Sequence, residues 1–341
     1  MIRRTLCVAA VLAVSLAFTS TSMAASSFYQ GKTVRMTVGF SAGGGFDMWA
    51  RAVARHIGKH IPGNPTVIVE NLTGAGGLIQ TNNLFKAAKP DGLTIGHLNG
   101  GLFLGQITGQ PGYDFDPKKF IYIGSANKEN TVIVLNSKTG IDSAEKWKTA
   151  ATPVKLGGLV PGNFIDNIER TAKEVLGFPA QLISGYKGTS DIRIAVESGE
   201  LGGGAASWDS AKTGWKRSLD SGEARVVLQC VEKRMKDLPN VPTMGEFAET
   251  DEQKGLIKII VINANDYSRP FAVPPGTPKD RVDILRKAFQ ETVKDAEFVA
   301  EINKMQMTLE PLDGEGLTKA VVESAGVDQA MREKLKKILF K

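Results

Sequence analysis

The first folded unit of the chain combines a strand pattern with a helix pattern. Residues 33–38 are mostly β-branched or apolar, which predicts a strand. A glycine-rich loop follows at residues 39–47. Beyond it, apolar residues recur at every fourth position, which predicts an amphipathic helix with one buried face. These positions are Trp49, Val53, Ile57 and Ile61.

The same order of elements repeats along the chain. A strand pattern at residues 66–70 leads into a second glycine loop at residues 71–77 and a helix at about residues 78–88. Strand, glycine loop and helix in this succession predict a parallel sheet whose loops gather at one edge. Further strands are predicted at residues 93–98, 120–124, 131–135, 154–159, 181–184, 201–205 and 225–231, and helices at about residues 163–176, 189–197, 279–293, 296–307 and 316–325.

Composition sets the class of protein. With 341 residues, of which 42% are hydrophobic and 23% charged, the chain has enough apolar surface for two domains or one large α/β unit. The formal charge is 42 − 36 = +6, and the basic residues are scattered along the chain. We therefore expect no nucleic-acid partner.

The amino-terminal segment has the pattern of a signal peptide. Arg3 and Arg4 precede an apolar run at residues 6–18, and Ser22-Met23-Ala24 matches the small-x-small cleavage pattern. The run is too short to span a bilayer core, which needs about 20 residues. We predict cleavage after Ala24 and an exported, soluble mature chain. Its one cysteine, Cys230, then has no partner for a disulfide within the chain, and we predict a buried thiol.

Ser41 lies within a possible nucleophile elbow. Residues 39–43 spell G-x-S-x-G between a predicted strand and a predicted helix. An exported serine hydrolase is therefore an alternative function. That chemistry needs a histidine base later in the chain. The histidines are His56, His60 and His97, and none follows residue 97.

No cofactor or metal site is predicted. His56 and His60 are spaced i, i+4 as metal ligands can be, but Lys59 lies between them and no glutamate follows the first histidine. We interpret them as a partly exposed helix flank. The chain also lacks a Walker phosphate-binding motif and the G-x-G-x-x-G pattern of dinucleotide enzymes.

The two glycine loops are the best candidates for a binding site. Each lies just before a helix, where unpaired backbone N–H groups and the positive end of the helix dipole can face an anion. For either loop alone, tight turns and close packing explain the glycines equally well. Two loops at one sheet edge favour a shared ligand crevice.

These loops carry a resemblance to a known family. The chain resembles the receptors of tripartite tricarboxylate transporters, the Bug or TctC family. The matching segments are residues 40–47 with Ala50-Arg51, Val69-Glu70-Asn71 with residues 74–77, residues 90–92 with Thr94, residues 186–188, residues 238–243 and residues 274–278.

The resemblance implies a fold and a function. The fold is α/β, a two-domain periplasmic-binding-protein fold of type II, with parallel-rich sheets and a hinged cleft. Domain 1 would comprise residues 25–127 plus 264–341, and domain 2 residues 128–263, with crossings near residues 126–131 and 263–267. Such a receptor is not an enzyme. It would act in the periplasm, as a monomer, by capturing a small organic carboxylate and delivering it to the membrane subunits of the transporter.

The resemblance also implies the ligand contacts. Backbone groups of the two glycine loops would hold one carboxylate, and three segments of the second domain would close over the rest. The implied residues are Ser41, Gly43, Gly44, Gly45 and Phe46; Gly74, Ala75, Gly76 and Gly77; and Asn163, Phe164, Tyr186, Ser207, Trp208 and Asp209.

The chain departs from the family pattern within its first loop. Gly45 and the bulky Phe46 stand where many relatives have small polar residues. We therefore hypothesise that Phe46, Phe164 and Trp208 form an apolar wall, which would favour a carboxylate with an aromatic or longer hydrocarbon body. Equally, Phe46 and Trp208 could simply pack within their helices. Asp209 could receive a ligand ammonium group, and capping the helix that follows it is the interpretation that we favour.

Overall fold

The computed structural model describes residues 28–340, so the predicted signal peptide lies outside the described residues. Two β-sheets, each flanked by helices, make up this part of the chain. None of its helices has both the length and the apolar character needed to cross a membrane.

Eleven strands form the two sheets within residues 28–340. They are β1 (Thr33–Val38), β2 (Thr66–Asn71), β3 (Thr94–His97), β4 (Ile121–Ser125), β5 (Thr131–Asn136), β6 (Val154–Gly157), β7 (Ala180–Ile183), β8 (Gly203–Ser207), β9 (Ala224–Cys230), β10 (Phe271–Val273) and β11 (Leu312–Asp313). The strand order is β11-β4-β10-β3-β1-β2 in the first sheet and β7-β6-β8-β5-β9 in the second.

Both sheets are mixed. In the first sheet, β1 pairs in parallel with β2 and β3, whereas β10 is antiparallel to β3 and β4. In the second, β6 is parallel to β7 and β8, whereas β5 is antiparallel to β8 and β9. The parallel pairing of β1 with β2 and β3 confirms the arrangement expected from the strand-loop-helix order. The antiparallel strands β5 and β10 each enter their sheet from the other one.

The chain passes between the sheets twice. The first passage spans residues 126–130, between β4 and β5, and the second spans residues 231–270, between β9 and β10. The antiparallel strands β5 and β10 are each the first strand of their sheet after a passage, and β11, which follows β10, is antiparallel to β4. We call the first sheet with its helices the first lobe, and the second sheet with its helices the second lobe. The predicted domain limits lie within these two passages and remain a prediction.

Fourteen α-helices cover the sheets in the described residues. They are α1 (Gly45–Ile57), α2 (Leu78–Lys86), α3 (Leu102–Ile107), α4 (Ala144–Lys148), α5 (Phe164–Arg170), α6 (Thr189–Ser198), α7 (Trp208–Gly214), α8 (Lys216–Asp220), α9 (Asp251–Ile257), α10 (Asn263–Asp266), α11 (Lys279–Thr292), α12 (Ala296–Lys304), α13 (Gly314–Ala325) and α14 (Gln329–Leu339). Two π-helical turns, Thr171–Val175 and Lys258–Ile262, extend α5 and join α9 to α10.

The hydrophobic pattern explains where the elements lie. Helix α1 buries Trp49, Val53 and Ile57, the residues with the four-residue spacing. All six residues of β5 are buried, as a strand in the middle of a covered sheet requires. The thiol of Cys230 is fully buried and unpaired, which confirms the interpretation from sequence. Its pKa is raised far above the usual value, chiefly by burial.

The last helix, α14, was not predicted from the sequence. It buries Leu335, Ile338 and Leu339 and contacts both α3 of the first lobe and α5 of the second. The carboxyl end of the chain therefore touches both lobes.

Candidate functional site

A cavity of about 410 Å³ lies between the two lobes, and we call it the main chamber. Its size is that of small-molecule sites in general. It is lined by residues 40–46, 163–165 and 187–191, together with Asn99, Glu129, Leu159, Ser207, Ser210, Ser268 and Arg269. The lining thus combines the first glycine loop of the first lobe with loops and helix ends of the second lobe.

The first glycine loop ends in a helix start that has no side-chain cap. The N-cap residue of α1 is Gly44, which has no side-chain oxygen to accept a bond from the first-turn amides. Gly44, Gly45 and Phe46 line the main chamber. The first-turn amides and the positive end of the helix dipole therefore face the cavity, where an anion is favoured.

The Gly43 amide is already used within the protein. It donates to Asp47 Oδ2 at 2.8 Å, and Arg51 Nε donates to the same oxygen at 2.8 Å. Asn71 Nδ2 donates to the other oxygen, Oδ1, at 2.9 Å. Burial raises the pKa of Asp47, but these hydrogen bonds outweigh burial and lower it below the usual value. The ionised Asp47 carboxylate therefore holds the first glycine loop in place through these hydrogen bonds.

A second uncapped helix faces the same chamber from the opposite lobe. The N-cap residue of α6 is Gly188, again without a side-chain cap. Gly188, Thr189 and Ser190 line the main chamber. Two helix N-termini from different lobes thus converge on one cavity, and each can offer backbone N–H groups to a shared anion.

The main chamber also contains a buried ion pair. Arg269 Nε donates to Glu129 Oε2 at 2.5 Å, and the two side chains are 10% and 4% exposed. The Arg269 guanidinium lies 4.3 Å from the centre of the Phe46 ring. Its Nη1 atom has no hydrogen-bond partner within the described residues. Arg269 therefore keeps donor capacity beside the uncapped start of α1.

The second glycine loop packs against the first but does not line the chamber. Residues 74–77 all have positive φ, between 48° and 135°, which explains why three of the four are glycines. A Cβ atom on Gly39 would lie only 2.6 Å from the Cα atom of Gly77, so the two loops are in close contact. Within the described structure, turn geometry and packing account for these glycines.

The predicted residues of the second lobe fall into two groups. Asn163, Phe164 and Ser207 line the main chamber, and Asn163 also caps α5 by accepting from the Ile165 amide at 3.0 Å. Tyr186 and Trp208 lie outside this lining. Tyr186 donates to Glu200 at 2.7 Å, a bond that raises its pKa to about 12, and Trp208 Nε1 donates to Asp237 at 3.0 Å.

Asp209 also lies outside the main chamber. Its carboxylate accepts hydrogen bonds from Thr308 of the first lobe. No side chain caps the start of α7, so the interpretation of Asp209 as a helix cap is wrong.

Comparison with known families identifies the group to which this fold and site belong. The model of the tripartite tricarboxylate transporter family receptor, TctC, matches residues 49–335. The chain belongs to this family. A relative from Cupriavidus necator, described as the UPF0065 protein in the gbd 5′ region, is 26% identical over 332 residues, covering 96% of this chain and 94% of the relative.

Solved structures show the same fold for this TctC-family receptor. Periplasmic binding protein BugD is 24% identical with a TM-score of 0.70, covering 91% of this chain and 98% of BugD. MatC from Rhodopseudomonas palustris, solved with bound malate, is 16% identical with a TM-score of 0.69, covering 90% of this chain and 99% of MatC. These likenesses confirm the two-domain α/β fold of type II periplasmic binding proteins.

The three histidines of this receptor each contact a residue other than Ser41. His56 lies 2.7 Å from Glu301, and His60 lies 3.2 Å from Asp295. His97 is buried and stacks on Phe271 with ring centres 4.1 Å apart. Burial and the nearby Arg269 charge lower the His97 pKa well below its usual value. Nothing in this arrangement favours a serine hydrolase.

The histidine flank also brings possible metal ligands together. Ligand atoms of His56, Asp295 and Glu297 lie within 4.8 Å of one another. The ammonium group of Lys59 lies 2.9 Å from Asp295 and 2.6 Å from Glu297. The lysine already supplies the positive charge that these carboxylates need, so the cluster is accounted for as an ion-pair network.

Several chamber residues of this receptor escaped the sequence prediction. Arg269 and Glu129 are the most buried charged residues of the lining, yet they are 140 positions apart and belong to no local motif. The sequence does offer a weak indication of Gly188 and Thr189. A glycine lies directly before a predicted helix there, as it does at the end of the first glycine loop.

Proposed function

We propose that this chain is an extracytoplasmic receptor that closes its two lobes over a small carboxylate and delivers it to the membrane subunits of a tripartite tricarboxylate transporter. The observation that supports this most directly is the pair of uncapped helix starts, at Gly44 and Gly188, that face one chamber from opposite lobes. MatC, a fold relative solved with malate, is consistent with such a ligand.

Both lobes are needed for useful affinity. A hydrogen bond to a charged group contributes about 1.5–3 kcal/mol net. Association costs roughly 4–15 kcal/mol of lost freedom and ordering. Four such bonds, about what one lobe can supply, only balance that cost. Donors from the second lobe, together with exclusion of water on closure, provide the surplus.

In this proposal the carboxylate lies against the first turn of α1. The amides of Gly45 and Phe46 and the Ser41 segment contact it from the first lobe. The Asn163 amide group and the first turn of α6 contact it from the second. Gly43 and the second loop, Gly74 to Gly77, act indirectly by fixing the shape of the first loop.

The receptor performs no chemistry on its ligand in this proposal. It is exported through the segment that ends at Ala24, and it acts as a monomer in the periplasm. N-terminal sequencing of the exported protein should therefore begin at Ala25. Native mass spectrometry of purified protein should show a single chain with a co-purified organic acid of unchanged mass.

A matched pair of variants at Gly45 tests the backbone site. A Cβ atom at this position lies 3.2 Å from Arg269 Nη1 in either variant. Only Gly45→Pro also removes the amide, and proline is tolerated at the first position of a helix. We expect Gly45→Pro to bind the co-purified acid at least about tenfold more weakly than Gly45→Ala in calorimetry.

Ser41→Ala is the companion test of the alternative. A receptor that uses the backbone of this loop should keep most of its affinity in Ser41→Ala, whereas a hydrolase would lose all turnover. Equal affinity in Gly45→Pro and Gly45→Ala would argue against a backbone carboxylate site. Turnover of an ester substrate that disappears in Ser41→Ala would argue for the hydrolase.

A further inference from the structure

A second chamber of about 270 Å³ lies between the lobes beside the main chamber. Three methionines and two tryptophans contribute to its wall, and we call it the methionine chamber. They are Met48, Trp49, Trp215, Met305 and Met307. Met48 and Trp49 lie on α1, Trp215 follows α7, and the other two methionines follow α12. Neither lobe alone encloses this space.

The two chambers adjoin each other. Residues 43–45, Thr189, Ser190 and Arg269 line both of them. The uncapped starts of α1 and α6 therefore lie at the junction, and so does the buried guanidinium of Arg269, whose Nη1 atom has no hydrogen-bond partner among residues 28–340. An anionic group held at this junction can extend the rest of its molecule into the methionine chamber.

The charged groups of the methionine chamber already have partners. Arg193 pairs with Glu197 at 2.6 Å. Asp209 accepts from the Thr308 amide at 2.7 Å. Past Arg269, the chamber offers no unpaired cation among the described residues for a second carboxylate. The partly exposed side chains of its three methionines offer a surface that favours hydrocarbon. Trp49 and Trp215 are buried, and the uncharged polar residues of the lining are Thr189, Ser190, Ser207, Ser210 and Thr213.

The main chamber adds a limit on ligand charge. Its two buried charged side chains, Glu129 and Arg269, have opposite signs and neutralise each other. The exposed Lys187 and Asp191, which also line it, have opposite signs too, so the lining carries no net charge. A ligand with several carboxylates would bring negative charge that this lining does not balance, and burying an unpaired charge is costly. One carboxylate can be held by the helix starts and by the free donors of Arg269.

We propose that the ligand is a monocarboxylate with a straight-chain or aromatic hydrocarbon body. Its carboxylate lies at the junction of the chambers, and its body lies in the methionine chamber. This inference rests on the proposed function and specifies its ligand class. Unbranched, polarisable methionine side chains adapt to flexible or flat apolar groups, so both kinds of body fit.

A chain-length series on the unmodified protein tests the ligand class. Calorimetry with butyrate, hexanoate and octanoate should show affinity rising roughly fourfold for each added methylene. Citrate and malate should bind more weakly than octanoate. Tighter binding of citrate or malate, or no gain with chain length, overturns the monocarboxylate inference while the carboxylate receptor stands. Failure of every acid to bind overturns both.

Polar substitution tests the methionine chamber itself. Met305→Gln combined with Met307→Gln keeps side-chain length but makes the wall polar. We expect octanoate affinity to fall at least about tenfold while butyrate affinity changes less than about twofold. Met331→Gln is the matched control, because Met331 lies on α14, outside both chamber linings. Equal losses for butyrate and octanoate, or no loss for either, overturn the assignment of the hydrocarbon body to this chamber. If the double variant fails to fold, the chain-length series still decides the ligand class.

Discussion

The carboxylate of Asp209 accepts two hydrogen bonds from Thr308, one from its backbone N–H and one from its hydroxyl, each at 2.7 Å. Asp209 lies in the first turn of α7 in the second lobe, and Thr308 lies in the loop between α12 and β11 of the first lobe. These bonds therefore join the lobes at the edge of the methionine chamber. They form only when the lobes are together, which makes them a contact that stabilises closure.

Removing this contact should weaken ligand binding without touching the carboxylate site. We expect Asp209→Ala to lower affinity about tenfold, mainly through faster dissociation, because the binding-competent closed state becomes less populated. Thr308→Val, which removes the hydroxyl but keeps the backbone donor, should have a smaller effect. Stopped-flow or surface-based kinetics measures both. Asp220→Ala is the control, because that exposed aspartate pairs with Lys216 on its own helix, α8. Unchanged dissociation in Asp209→Ala would contradict the closure role.

The Glu129–Arg269 pair predicts a separation between stability and affinity. Arg269→Gln leaves the Glu129 carboxylate buried without its partner, a change that typically costs about 3–5 kcal/mol of folding free energy. The double variant Glu129→Gln with Arg269→Gln should regain much of that stability, because neither charge remains. Both variants should lose ligand affinity, since both lack the guanidinium. Urea denaturation and calorimetry on the same samples give the two readouts. If the single variant proves as stable as the double, the pair does not act as a unit.

Hydrophobic periodicity predicted most of the helices and strands, because the buried face of each element sets the spacing of its apolar residues. The four-residue spacing of Trp49, Val53 and Ile57 reports one buried helix face, and α1 buries those side chains. Strand β10 has only three residues, too few to show a period of two, so its antiparallel insertion could not be predicted from pattern.

The site was harder to predict because its charges meet only in the folded chain. Glu129 and Arg269 come from the two passages between the lobes, and only the fold brings those passages together. The glycine loops drew attention through composition. The first loop, however, lines the main chamber, whereas the second loop, whose residues 74–77 all have positive φ, packs against the first. Composition alone does not distinguish these two uses of glycine.

Close packing between the lobes gives a prediction at Gly101. Its φ of −56° is helical, so alanine adds no backbone strain there. A Cβ atom would nevertheless lie 2.7 Å from the Phe164 backbone nitrogen and 2.8 Å from its Cβ. We expect Gly101→Ala to lower the free energy of unfolding by about 1–3 kcal/mol, because the Phe164 segment must shift. Gly255→Ala in α9, where a Cβ meets nothing within 4 Å, should raise it by up to about 1 kcal/mol. Urea denaturation measures both free energies of unfolding. An unchanged value in Gly101→Ala would show that the Phe164 segment shifts at little cost.

The buried carboxyl group of Glu169 predicts how stability depends on pH. Glu169 lies in α5, fully buried, and accepts a hydrogen bond from the Ala205 amide at 2.8 Å. Burial raises its pKa well above the usual value, and the Ala205 bond offsets this only in part. An unfolded glutamate titrates near pH 4.3. Between that pH and the raised folded pKa, the folded chain therefore binds more protons than the unfolded chain, and the free energy of unfolding falls as pH rises.

Glu169→Gln should remove this source of pH dependence. As pH rises from the unfolded toward the folded pKa of Glu169, the variant's free energy of unfolding should fall less than that of the unmodified protein, by up to about 1.4 kcal/mol for each pH unit. Burial also raises the pKa of Asp166. The free energy of unfolding of Glu169→Gln should therefore still fall somewhat as pH rises. Glu174→Gln, at an exposed position in the adjoining π-helical turn, is the matched control and should keep the full slope. Parallel slopes for all three proteins in urea denaturation would show that Glu169 is not the group whose proton is lost.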